Sequence, residues 1–185
     1  MSTALKLATY EDVLAAPEFL VAELIHGSLH TMPRPGPRHA SAAMQLGAGL
    51  HGPFDRGRGG PGGWLILIEP ELHLGENVLV PDLAGWRRER MPVSPDTAYF
   101  SIAPDWICEG ISPSTAKLDR SVKLPIYAQH NVSYAWILDP VARMLEVFQL
   151  QSRRWLLLDT FVGEDHVRPA PFDALPFDLA ELWRA

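Results

Sequence analysis

Two carboxylates set among apolar neighbours offer this chain its first chemistry. Asp82 follows Pro81, and Glu109 comes 27 residues later. Within a strand from Asp105 to Ile111, alternation puts Ile107, Glu109 and Ile111 on one face, and Asp82 shares a face with Val80 and Ala84. A carboxylate in such company is costly unless it is paired or holds a metal. Hard divalent cations take one or two carboxylates together with water and substrate phosphate, so two adjacent strand segments can share one ion. An arginine partner for either carboxylate would relieve the burial equally well.

Other spacings compete. Asp119, Lys123 and Tyr127 recur every four residues and so stack along one helical face. A surface ion pair beside a packing tyrosine would space them the same way. Gly110-Ile111-Ser112-Pro113-Ser114 approaches the Gly-x-Ser-x-Gly turn of serine hydrolases. Its last position is Ser, however, and Pro113 removes the backbone donor that should follow the nucleophile, so the segment reads better as a turn into a helix. Of seven histidines only His26 and His30 stand four apart; they flank a Gly-Ser turn and lack the glutamate of the metalloprotease motif. The lone Cys108 excludes a disulfide framework and a multi-cysteine zinc site. Gly52 to Gly63 holds six glycines, two prolines, Arg56 and Arg58, but not the Gly-Lys-Ser/Thr ending of a phosphate-binding loop.

The net charge of −6 argues against broad adhesion to nucleic acid or acidic membranes. Thirteen of the sixteen basic residues are arginine, clustered at Arg34/Arg38, Arg56/Arg58, Arg87/Arg88/Arg90 and Arg153/Arg154. All these clusters fall in predicted loops or turns, where a phosphate backbone or only solvent would meet them; a GC-rich genome would produce the same bias. At roughly 150 residues per domain, 185 residues make one domain, expected to span 1–185. With 47% apolar and 21% charged residues, the chain is not disordered. Its longest aliphatic or aromatic run, Trp64 to Ile68, is far short of the ~20 residues that cross a bilayer. Residues 1–16 lack a basic start followed by an apolar block, so no secretory leader is expected and the location expected is the cytoplasm.

The elements that must position these groups emerge from periodicity and turn chemistry. Thr9 can cap a short helix reaching about Ala16. A hairpin of Leu20–Ile25 and Ser28–Met32 turns at His26-Gly27, and Pro33, Pro35 and Pro37 stiffen the connection after it. A helix covers His39–Leu50, and Gly52–Gly63 is a flexible loop. Strands are expected at Trp64–Glu69, Leu72–Leu74, Val78–Trp86 and Asp105–Ile111. A helix lies between Leu118 and His130; starting it near Ser121 keeps Pro125 in the first turn, and Asn131 suits its left-handed end. Strands Tyr134–Leu138, Met144–Gln151 and Arg154–Val162 come next, with a closing helix over Asp178–Trp183. This order predicts an α/β (α+β) chain with a mixed sheet flanked by helices.

Joined in order, these segments resemble one family. Glu23-Leu24-Ile25-His26-Gly27, a proline-rich stretch to His39, Pro81-Asp82-Leu83, Glu109 through Thr115, Asp119 with Lys123 and Tyr127, and Tyr134 through Pro140 match the pattern of the Uma-two family, restriction-endonuclease-like proteins of the PD-(D/E)XK nuclease superfamily. The match runs from about Thr9 to Val162. The resemblance implies a Mg²⁺-dependent endonuclease, with Mn²⁺ as a substitute, that hydrolyses DNA phosphodiesters through a metal-activated water. Asp82 and Glu109 match the metal carboxylates, Glu23 the acidic residue of the first block, and Lys123 a lysine relocated to the helix. His39 matches a family histidine of unassigned role. The chain departs from the pattern at Ile111, where the superfamily has lysine, and at Gly110, where the family has Val or Ile. Those departures suit the alternative, a binding or scaffold protein of weak or absent activity. Phosphate contacts would fall to Arg56 and Arg58, and a homodimer is expected through the apolar strands Met144–Leu150 and Trp155–Leu158.

Overall fold

The computed structural model describes residues 7–184; residues 1–6, the start of the amino-terminal stretch in which no leader is expected, lie outside the described residues. The chain opens with α1 (Tyr10–Leu14), where the Thr9 amide donates to Asp12 Oδ2 at 2.8 Å as the sequence predicts. The hairpin of β1 (Leu20–Ile25) and β2 (Ser28–Pro33) turns on His26 and Gly27, both at positive φ. Next come α2 (Pro37–Leu50), with Pro37 in the first turn, and β3 (Trp64–Ile68), β4 (Leu72–Leu74), β5 (Asn77–Leu79) and β6 (Leu83–Arg87). Then β7 (Trp106–Gly110), α3 (Ala116–Leu118), α4 (Leu124–Gln129), β8 (Tyr134–Asp139), β9 (Met144–Gln151) and β10 (Arg154–Val162) complete the main elements.

The ten strands β1 to β10 form two sheets, ordered β2-β1-β5-β4 and β10-β9-β8-β7-β6-β3, and His166–Val167 pairs with Phe177–Asp178 in a separate two-stranded sheet. All neighbours in the larger sheet are antiparallel except β7 and β8. A parallel pair needs a crossover of a dozen or more residues, and here the helical segment 116–129 supplies it. That geometry returns the helix over the sheet face bearing Ile107, Ala135 and Ile137, where Ile126 and Tyr127 are buried with them. The opposite face packs Trp64, Trp106, Trp136 and Phe172 edge-to-face or tilted beneath Leu46 and Leu50 of α2.

Four expectations change. The single run Val78–Trp86 divides at Val80-Pro81-Asp82, because proline cannot serve a sheet ladder; β5 joins the smaller sheet and β6 the larger one. The helix after β7 begins at Ala116, ahead of Ser121, and passes through a π turn over Asp119–Lys123, so that Pro125 falls in the first turn of α4. The loop from Gly52 is helical at its start: a π turn runs to Asp55, whose buried carboxylate accepts the Ile66 amide at 2.8 Å and pairs with Arg88 at 3.1 Å. The closing helix is a 3₁₀ turn, Leu179–Trp183, which Asp178 caps through the Ala180 amide.

Candidate functional site

The split at Pro81 and the returning helix bring four segments together. Glu109 sits near the end of β7, Asp82 just before β6, Glu23 on β1 and Lys123 on the π turn. The Lys123 ammonium is almost wholly buried, 2.9 Å from Glu23 Oε1, 2.9 Å from Glu109 Oε1 and 3.7 Å from Asp119 Oδ1. The Tyr127 hydroxyl donates to Glu109 Oε1 at 2.6 Å, and the Val80 amide donates to Glu23 Oε1 at 2.7 Å. Asp82 is held separately. Its Oδ2 accepts the Gly110 amide at 2.7 Å, and its Oδ1 lies 2.5 Å from His39 Nε2.

Gly110 has a steric role here. A Cβ at this position would lie 2.7 Å from His39 Nε2, 2.8 Å from His39 Cε1 and 3.2 Å from Asp82 Oδ2. The departure from Val or Ile therefore opens the space in which the imidazole reaches Asp82. At the other departure, the Ile111 side chain is buried in the apolar cluster of the helix-covered face, and Lys123 puts a cation beside Glu109 from the crossover helix.

Burial by itself would lower the Lys123 ammonium, but Glu109, Glu23 and Asp119 outweigh it and hold it above the ordinary lysine range. Burial pushes the Glu109 carboxyl well up; Lys123 opposes this, while Asp119, Glu23 and Asp82 add to it. Asp119 is raised by burial against the pull of Lys123, and burial also lifts the Tyr127 phenol. For His39, burial acts downward and the bond to Asp82 overrides it, leaving the imidazole raised. The cluster thus holds more carboxylate than its one ammonium balances. Two of its oxygens, Glu23 Oε2 and Asp119 Oδ2, are buried without a partner among the described residues.

Among the described residues, no three His, Cys, Asp or Glu side chains converge in metal-binding geometry. A magnesium-type ion needs fewer, since one or two carboxylates with water and substrate phosphate suffice. Asp82 and Glu109 line one open cavity of 1030 Å³ with Asp119 and Lys123. The all-oxygen donors, the carboxylate excess and the unpartnered buried oxygens fit a hard divalent cation.

The remaining sequence candidates fall into place around this cleft. Glu23, His39, Asp82, Glu109 and Lys123 come together; Arg56 and Arg58 do not join them. Both arginines lie on the turn before β3, whose Trp64 pairs with Arg87. Asp82 precedes Leu83, which pairs with Ile68 at the other end of the same strands, roughly 13 Å away. The Ser112 hydroxyl is bonded to Ser114 and Thr115, as a turn requires. Asp119 and Tyr127 join the cluster through the four-residue spacing that marked them in the sequence. Arg38, on the first turn of α2, also lines the cleft; the sequence marked it only as one of the arginine pair Arg34/Arg38.

Comparison with known proteins agrees with this architecture. Residues 8–180 match the family Uma2, described as "Putative restriction endonuclease". Among solved structures the chain is similar to one from Anabaena variabilis ATCC 29413, described as "a putative nuclease belonging to DUF820". The identity is 22% and the TM-score 0.76, covering 95% of this chain and 97% of that one. At that identity the likeness establishes the fold, a restriction-endonuclease-like mixed sheet with flanking helices. A search of curated proteins finds no match. No helix among the described residues is long and apolar enough to cross a membrane.

Proposed function

This chain belongs to the Uma2 family, and from that premise we propose that it is a divalent-metal-dependent endonuclease acting on DNA, with the cleft at Asp82 and Glu109 as its active site. The observation that carries the reading is Lys123, buried between Glu23 and Glu109 at 2.9 Å from each. Burying an ammonium costs several kcal/mol before its partners offset it. The fold spends that energy to set a cation beside Glu109, where a phosphoryl group gathering charge needs one.

Asp82 and Glu109 would hold Mg²⁺, with Mn²⁺ as a substitute. When bound, such an ion supplies Lewis-acid stabilisation at the phosphoryl oxygens and acidifies water in the site. The chain's own groups orient and balance. Lys123 fixes Glu109 and presents positive charge to the phosphoryl group. Glu23, anchored by the Val80 amide, holds Lys123 from the other side, and Tyr127 sets the rotamer of Glu109. His39 and the Gly110 amide hold the two oxygens of Asp82. We also propose a homodimer through the edge strand β10, where Leu156, Leu157 and Val162 are exposed.

The test incubates purified protein with supercoiled plasmid and with labelled DNA and RNA oligonucleotides, in Mg²⁺, Mn²⁺ or chelator. The expected result is divalent-dependent cleavage of DNA. Absence of cleavage of every substrate with either ion would overturn the nuclease reading and favour the scaffold alternative, to which Ile111 in place of a lysine already points.

A further inference from the structure

We propose that the side cavity adjoining the cleft is a subsite for the nucleotide flanking the scissile phosphodiester, with Arg38 and Arg143 on its phosphate and Trp183 as the wall against its base. This rests on the nuclease reading and adds the path of the strand. The cavity measures 390 Å³ and is lined by Arg38, Pro140, Val141, Arg143, Leu182 and Trp183. Sites that take small ligands run from roughly 300 to 1,000 Å³. Arg38, Pro140 and Val141 also line the cleft of Asp82 and Glu109, so the two spaces adjoin along the β8–β9 turn and the start of α2.

Elimination among the cations leads to the same two arginines. A polyanion entering a cleft of four carboxylates needs positive charge not already spent within the protein. Lys123, held by Glu23, Glu109 and Asp119 beside the scissile phosphoryl group, leaves the flanking phosphate to other cations. Arg34, the other arginine lining the cleft, donates to Glu69 at 3.1 Å and to the Glu18 carbonyl. Arg38 is exposed, with no hydrogen bond or ion pair among the described residues. Among the described residues Arg143 meets only Glu164, at 3.4 Å with both side chains more than half exposed, a pair that water screens to little net energy. Trp183, half-buried against the core, is fixed by its indole N–H, which donates to the Gly163 carbonyl, so its ring is held in place beside the unpaired Arg38 and the weakly paired Arg143. Phosphate on arginine and base on a fixed aromatic ring is how single strands are held without sequence reading.

The experiment titrates full-length protein into fluorescein-labelled single-stranded DNA in EDTA, where no cleavage intervenes, and measures anisotropy over a range of salt concentrations. Wild type is compared with Arg38→Ala, Arg143→Ala, Trp183→Ala, Trp183→Phe and the double variant Arg56→Ala/Arg58→Ala. The arginine variants of the subsite should weaken binding severalfold and flatten the slope of log K against log salt by roughly 0.7 per lost contact. Trp183→Ala should weaken it roughly fivefold or more at an unchanged slope, with Trp183→Phe restoring most of the loss. The Arg56/Arg58 variant should bind as wild type does. If wild type binds while Arg38→Ala and Arg143→Ala match it in affinity and slope, the subsite is wrong and the nuclease reading stands. If wild type binds neither this strand nor a duplex at low salt, either in EDTA or with Ca²⁺ in place of Mg²⁺, the nuclease reading fails and the subsite with it.

Discussion

Replacing Lys123 by methionine keeps the length of the side chain and removes the ammonium that faces Glu23, Glu109 and Asp119. Three carboxylates then share a pocket in which each is at most a few per cent exposed. Breaking a buried ion pair on one side costs about 3–5 kcal/mol, because the charge left behind has no compensation. For a chain of this size 1 kcal/mol moves Tm by about 2–4 °C, so the variant should melt roughly 6–20 °C lower at pH 8. The pH dependence has a definite sign. Burial already raises the Glu109 and Asp119 carboxyls in the folded state, and removing Lys123 takes away the largest opposing influence on each. A carboxyl raised in the folded state favours folding below its free pKa and loses that contribution as pH rises through the folded value. The gap to wild type should therefore narrow when melting is repeated near pH 5. Cleavage should fall by 10²–10³, the usual loss on deleting a preorganised group that meets developing charge, about 2.7–4 kcal/mol. Lys117→Met, at an exposed position on the same helical segment, should stay within about 0.5 kcal/mol of wild type. Equal small shifts for the two lysine variants, in both melting and rate, would refute the argument.

Gly110→Ala should push the His39 ring off Asp82 and cost about 1–3 kcal/mol. In a His39→Ala background the same change should cost little, and a denaturation cycle on the four proteins giving no coupling would show that the two positions do not share this space. The Tyr10 phenol is raised to about 12, first by its hydrogen bond to Glu71; a phenol raised on folding stabilises below its free pKa near 10 and loses that as pH climbs toward 12. Tyr10→Phe should accordingly flatten the loss of stability between pH 10 and 12, as thermal melts across that range would show. Light scattering at micromolar protein should give about twice 20.6 kDa for a pairing through β10, and a mass near 20.6 kDa would remove the dimer.

Much of this site was legible because its parts obey short-range rules. Apolar alternation placed Glu109 on the Ile107 face, and the four-residue spacing put Asp119, Lys123 and Tyr127 on one helix face; in the structure Lys123 and Tyr127 both meet Glu109, and Asp119 meets Lys123. The hairpin turn at His26-Gly27 and the left-handed Asn131 were likewise local matters of backbone conformation. The features that local rules missed depended on distant partners. Asp55 extends the helix into a glycine-rich segment because Arg88 and the Ile66 amide, far along the chain, complete its hydrogen bonds. The π turn at Asp119–Lys123 breaks the helical period that sequence patterns assume. Pro81 was visible, but that it marks the passage of the chain from one sheet to another emerges only from the pairing of β5 with β1. The role of Gly110 was hidden for a similar reason, since nothing in the strand itself indicates that a histidine from α2 will need the space.

The most direct test compares plasmid relaxation by wild type, Asp82→Asn and Glu109→Gln in Mg²⁺, with each variant first shown to melt cooperatively. Both substitutions keep side-chain size while removing a charge that a shared divalent ion requires. The account predicts nicking by wild type that stops with chelator, and a loss of at least a hundredfold in each folded variant. Wild-type rates in either folded variant would contradict the assignment of Asp82 and Glu109 as the centre of a metal-dependent nuclease.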